Sequence, residues 1–190
     1  MKTWVMPVAV ALMLAGQAAA ADDTDALVAE GKGLMRAFGA ALKTELTAAV
    51  EAGGPVNAIT VCNTEAPGIA KGLSKDRWTV ARSSHRLRNP DNAPDAFTAN
   101  AIAAFLSRQA AGEAPERLST AAIVEEDGQR VFHLVKAIPT SDLCLGCHGG
   151  TTVKPEVEAK LAELYPDDKA RGFSAGEMRG VFTLKKVLSE

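Results

Sequence analysis

The chain is poor in the residues that usually announce a function. Its 190 residues include three cysteines, three histidines, two tryptophans and one tyrosine, and aromatics reach only 5%. A base-stacking platform for single-stranded nucleic acid has little to be built from. Neither sign of charge is in excess: 21 basic against 23 acidic residues leave a formal charge of -2, which excludes the basic footprint of a nucleic-acid binder. No apolar run reaches the roughly 20 residues of a membrane span, and no phosphate-cradling glycine loop or dinucleotide fingerprint occurs. What is left, 47% hydrophobic and 23% charged residues, is the composition of a folded globular chain, with one domain as the default at this length.

The first twenty residues read as an export leader. Lys2 supplies a positive start, Val5 to Ala15 an apolar stretch, and Ala18 to Ala21 the small residues that a signal peptidase needs. The stretch is too short for an anchor, and Pro7 interrupts it. The expectation is a cleaved leader over 1–20 and a single domain over 21–190, released to the periplasm and not embedded in the membrane.

Export gives meaning to the cysteine count. Thiols pair in an oxidising compartment, and three leave one over. Cys144-Leu145-Gly146-Cys147-His148 is the C-x-x-C-H signature of covalent haem c attachment. Two thiols reach the two vinyl groups of one porphyrin, and the adjacent imidazole reaches the iron. Other chemistries fit less well. A thioredoxin-type pair expects a βαβ context, whereas this motif follows a strand-like run and Pro139 and leads into Gly149-Gly150. A zinc site needs further ligands, and only His85, His133 and Cys62 remain as remote ones. A Cys144 to Cys147 disulfide leaves His148 without a role.

The hydrophobic pattern predicts mixed helices and antiparallel strands, an α+β fold and not the all-helical small cytochrome. Asp23-Thr24-Asp25 is expected to cap a long N-terminal helix with Leu27, Met35, Phe38, Leu42, Leu46 and Val50 on one face, stopped at Gly53-Gly54-Pro55. A second helix carries Ile59 and Cys62 and is expected to break or kink at Pro67. Trp78 to Ser84 reads as a strand, 89–94 as a turn-rich loop, and Asp95 as the cap of a helix with Ile102, Phe105 and Leu106 inward. Ala121 to Glu125 and Arg130 to Ile138 flank the hairpin turn Asp127-Gly128. The haem loop, a short helix around Val157, Leu161 and Leu164, and a strand from Arg179 to Leu188 complete the chain.

From about Ala58 onward the chain resembles the single-haem c-type family with a PAS-like fold, a haem-binding domain of unknown function found alone and as the sensing part of bacterial receptors and histidine kinases. The resemblance rests on Ala58-Ile59-Thr60-Val61-Cys62, on Ala66-Pro67-Gly68-Ile69-Ala70, on the run from Arg82 to Asp95, on the haem motif, on Tyr165 to Phe173 and on Gly176 to Gly180. It implies a PAS-like antiparallel sheet with flanking helices and one covalent haem, held by Cys144 and Cys147. His148 and, as second axial ligand, Cys62 would then bind the iron. Without the resemblance, Cys62 reads equally as a small core residue.

The remaining residues rank lower as iron ligands. Met35 lies on a core stripe, Met178 is the other methionine beyond the leader, and His133 sits on a strand between Val131 and Val135. His85 belongs to a basic cluster with Arg82, Arg86 and Arg88. Arg82, Arg88 and Lys169 are the expected contacts to haem propionates, with Arg179 behind them, through charge-assisted bonds; a solvated charged turn is the alternative. Gly172-Phe173-Ser174-Ala175-Gly176 matches a hydrolase nucleophile elbow, but no histidine follows His148, and a turn is expected instead. The functional expectation is a periplasmic redox protein, an electron carrier or a sensor of redox state or of NO or CO. It would serve an unidentified redox partner or membrane receptor, with a haem or thiol enzyme as the alternative.

Overall fold

The structure, a computed structural model, describes residues 12–188, with side chains from residue 24 onward. The expected leader falls largely on residues 1–11, outside those described. A four-stranded antiparallel sheet carries helices on both faces, in the spatial order β1-β4-β3-β2. The strands are β1 (Trp78–Ser83), β2 (Ser119–Glu126), β3 (Gln129–Pro139) and β4 (Met178–Val187). The helices are α1 (Leu12–Leu73), α2 (Ala96–Ala110), α3 (Asp142–His148) and α4 (Pro155–Leu164). This is the α+β architecture expected, and it is consistent with a PAS-like fold.

Alternation along the strands decides which helix each face receives. Trp78 and Val80, Phe132 and Leu134, and Leu184 point to one face, where they bury Met35 and Phe38 of α1. Val135, Ala137 and Val181 point to the other, against Ala101, Ile102 and Phe105 of α2. The α2 cap is as expected: the Asp95 carboxylate accepts from the Thr98 N–H at 2.7 Å. The hairpin turn is also as expected, with Asp127 at φ 51° and Gly128 at φ 77°.

The long first helix is broken at the predicted glycines. Gly53 and Gly54 leave helical geometry, and Gly54, at φ 73° and ψ -173°, adopts a backbone conformation that side chains exclude. The two arms, 12–52 and 55–73, are bridged by the Asn57 side-chain amide, which donates to the Ala49 carbonyl at 2.9 Å. A third helix layer, α4, packs on the second arm through Ile59, Val157 and Leu161.

Three local expectations are corrected. The helix is already running at Asp23-Thr24-Asp25, so these residues do not cap it. Pro67 does not end the second arm, which stays helical to Leu73; Ile69, Ala70 and Leu73 pack against the sheet-side core, and that packing outweighs the one backbone bond a proline removes. The C-x-x-C-H segment is not a loop but the seven-residue helix α3, which begins just past Pro139, where a strand can no longer pair.

Candidate functional site

Between the two arms of α1, the ends of β1 and β4, and α3, a cavity of about 470 Å³ opens. Leu42 and Leu46 line it from the first arm and Ile59 and Cys62 from the second. β1 contributes Arg82, β4 contributes Arg179 and Phe182, and α3 contributes Cys144, Cys147 and His148, with Tyr165 closing one side. Residues far apart in sequence that were singled out for one cofactor thus share one cavity wall. All three cysteines are free thiols. Leu143, 46% exposed, stands at the cavity's edge and is the only large hydrophobic residue so exposed among the described residues.

Each side chain arrives for a local reason. Cys62 lies one turn beyond Ile59 on the face of α1 that meets α4. Arg82 follows Trp78 and Val80 on the α1 face of β1 by alternation. Arg179 needs a defect. Met178 and Val181 both bury among the α2-side residues, which a regular strand forbids, and pairing runs Ile138 with Gly180 and then Pro139 with Met178. Arg179 is the extra residue of a bulge, which turns its guanidinium to the cavity. Its neighbour must be glycine: a Cβ on Gly180 would run into the carbonyl oxygen of Ser83 on β1.

Charge in the cavity is one-sided. Arg82 and Arg179 make neither an ion pair nor a side-chain hydrogen bond among the described residues. Burial, with the second arginine beside it, pushes Arg179 down to about 10, and burial lowers Arg82 as well. Two half-buried cations without a counter-charge are costly, and they fit a ligand that brings its own carboxylates. Burial pushes the thiols of Cys62 and Cys147 up, against the opposing pull of nearby arginines. Burial, then Arg179 and Arg88, hold His148 well below the ordinary histidine range, so its ring is neutral.

Arg88 is occupied differently. Its Nε donates to Asp168 at 3.1 Å, its Nη2 donates to the Cys147 carbonyl at 2.7 Å, and its Nη1 lies 3.4 Å from His148 Nε2. His148 Nδ1 is 2.8 Å from the Ala170 carbonyl. Lys169 is exposed and does not line the cavity, although its backbone N–H donates to the Leu87 carbonyl. The lower-ranked iron ligands lie elsewhere. Met35 and Met178 are core residues on opposite faces of the sheet. His133 is fully buried beside Phe97, with Nε2 2.9 Å from Glu126, and His85 packs its ring edge-on to Phe173 outside the cavity wall. No three His, Cys, Asp or Glu side chains converge to hold a lone metal ion among the described residues. Gly172 to Gly176 runs as coil into a turn before β4.

Sequence reasoning left Asp168 and Tyr165 without roles and ranked Arg179 last. The run Tyr165-Pro166-Asp167-Asp168 was visible, but which of its side chains turns inward was not, and nothing in the sequence marks the bulge.

Residues 12–186 match the family described as Tll0287-like. The chain is also similar to the crystal structure of the cyanobacterial heme-protein Tll0287, with 26% identity and a TM-score of 0.54 over 68% of this chain and 73% of that one. No curated protein matches the chain. The resemblance to a single-haem c-type, PAS-like family is borne out by these likenesses.

Proposed function

We propose that this chain, which belongs to the Tll0287-like family, is an exported haem protein. It holds one haem through thioethers to Cys144 and Cys147, with His148 and Cys62 on the iron, and works in periplasmic electron transfer or as a sensor of redox state, NO or CO. The observation that carries this reading is the convergence of three thiols, one imidazole and two uncompensated arginines on a single cavity of about 470 Å³. When bound, a haem supplies one-electron chemistry at its iron.

The protein's own residues supply attachment, ligands and charge. The helical C-x-x-C spacing puts Cys144 and Cys147 on one side of α3, next to His148. Burial keeps Cys62 protonated by itself, and coordination to a metal removes that proton and the desolvation penalty together. The same burial argues against a thiol enzyme, because a nucleophilic cysteine needs its pKa lowered, not raised. Arg82 and Arg179 are free to meet propionates; Arg88 also lines the cavity, but its guanidinium is taken up by Asp168 and the Cys147 carbonyl, and Lys169 stands outside.

The test is protein made in an exporting host with haem-attachment machinery. It is expected to stay coloured after denaturation, and Cys62→Ser is expected to change the spectrum of the oxidised iron and raise its potential. A colourless product bridged from Cys144 to Cys147 overturns the haem reading. An unchanged Cys62→Ser spectrum returns Cys62 to the core.

A further inference from the structure

The His148 imidazole is held between two groups whose hydrogen-bonding sense cannot be reversed. A backbone carbonyl only accepts, and a guanidinium only donates. The first, Ala170 O, lies 2.8 Å from Nδ1, and the second, Arg88 Nη1, lies 3.4 Å from Nε2. We propose that Arg88 and Asp168 are positioning residues that fix His148 in its Nδ1–H tautomer and reserve the Nε2 lone pair for iron, a refinement that rests on the haem reading only for the identity of the metal.

One protonation form satisfies both contacts. With the proton on Nδ1, the ring donates to Ala170 O and accepts from Arg88. With the proton on Nε2, a ring N–H faces a guanidinium N–H while the Nδ1 lone pair faces a carbonyl oxygen, and both contacts become repulsive. The imidazolium repeats the clash at Nε2 and adds a second positive charge.

Asp168 ties the two sides together. Its side chain, 7% exposed, accepts from Arg88 Nε through Oδ2 at 3.1 Å and from the Ala170 N–H through Oδ1 at 2.8 Å. One carboxylate therefore holds both the donor over Nε2 and, through its N–H, the residue whose carbonyl is the acceptor at Nδ1. Arg88 Nη2 adds bonds to the carbonyls of Cys147, at 2.7 Å, and Ala170, at 3.3 Å. The Phe173 N–H returns to the His148 carbonyl at 3.0 Å, so the segment after Asp168 is stitched to the end of α3. The contact to Nε2 is the longest Arg88 makes, so a metal that takes Nε2 displaces it alone and leaves the rest of the clamp in place.

Two arms test the assignment. The full chain, made without haem attachment and isotope-labelled at its histidine nitrogens, reports the His148 tautomer by NMR. Wild type and Arg88→Lys are expected in the Nδ1–H form, because lysine also only donates. Arg88→Gln, whose amide can accept as well as donate, and Asp168→Asn are expected to lower the ratio of Nδ1–H to Nε2–H by about tenfold, the scale of one charge-assisted hydrogen bond. In haem-loaded protein, Arg88→Gln and Asp168→Asn are expected to shift the reduction potential and the iron–histidine vibration, with Arg88→Lys closer to wild type. A wild-type Nε2–H tautomer overturns the proposal, as does identical behaviour of wild type, Arg88→Gln and Asp168→Asn in both arms. If the chain folds only with haem, an unchanged potential and vibration overturn it alone. If no haem binds, the haem reading fails while the NMR arm still decides the tautomer.

Discussion

The face of the sheet under α2 and the cavity on the α1 side are built from the same sheet, yet they treat charge in opposite ways. On the α2 side the charged groups Lys185, Asp95 and Glu126 at the core's edge meet one another. His133 Nε2 lies 2.9 Å from Glu126, and Lys185 lies 3.4 Å from Glu126 and 2.6 Å from Asp95. On the α1 side Arg82 and Arg179 enter a cavity with no carboxylate to meet them. Partly exposed pairs of the first kind contribute roughly 0–1 kcal/mol each, and the α2 face is stabilised mainly by Phe105, Leu118, Val135 and Val181 packed between them. Cations of the second kind cost free energy while they stand alone. The contrast separates a face that only holds the fold from one that, beside its own core of Met35, Phe38 and Phe132, opens a cavity suited to something anionic.

The largest test of that division is Phe105→Ala on the α2 face. Truncating this buried ring is expected to cost about 3–5 kcal/mol of stability, read as a lower urea midpoint, while the spectrum of bound haem in the folded protein stays as in wild type. A changed spectrum would break the separation of the faces.

Gly180→Ala is expected to cost less, about 1–3 kcal/mol from overpacking against Ser83, but to disturb both faces, because the bulge beside it aims Arg179 at the cavity. A lower urea midpoint with an unchanged haem spectrum would uncouple Arg179 from the bulge.

The smallest effect concerns acid. Burial holds His133 below its ordinary value, against the pull of Glu126 and Asp95 and with the help of Lys185. A group whose pKa is depressed by folding stabilises fully above its unfolded pKa, about 6.5 for histidine, and loses that contribution as pH falls below it. His133→Phe is therefore expected to flatten the decline of the urea midpoint below about pH 6.5. A decline identical to wild type removes His133 as its source and leaves it to other groups lowered in the same direction.

Much of this was legible in the chain, and the reasons differ by residue. Asp127-Gly128, Asp95 and Gly53-Gly54 act through local backbone chemistry, so their roles as turn, cap and break could be read directly. Pro67 and the α3 segment could not, because tertiary packing in one case and a strand's end in the other overrode the local signal. The cofactor motif was legible as a motif. The cavity was not, since it depends on two helix arms folding about a glycine break and on one extra residue in β4. Arg82 followed from alternation alone, whereas Arg179 required the bulge, and Asp168 works through Arg88 from eighty positions away.

The sheet order sets a sequence of assembly. β4, the last described strand, lies between β1 and β3, so the halves of the sheet on either side of it have no hydrogen-bonded connection until it is made. Closing loops of that length is slow compared with forming one short helix. Whatever the α3 thiols capture is held by seven contiguous residues, and the arm bearing Cys62 packs beside them through α4, whereas Arg179 and Phe182 reach the cavity only when β4 docks. Loading therefore does not have to wait for closure, and a chain stalled before β4 forms would present the α3 thiols and His148 without the arginine and the phenylalanine that β4 brings to the cavity.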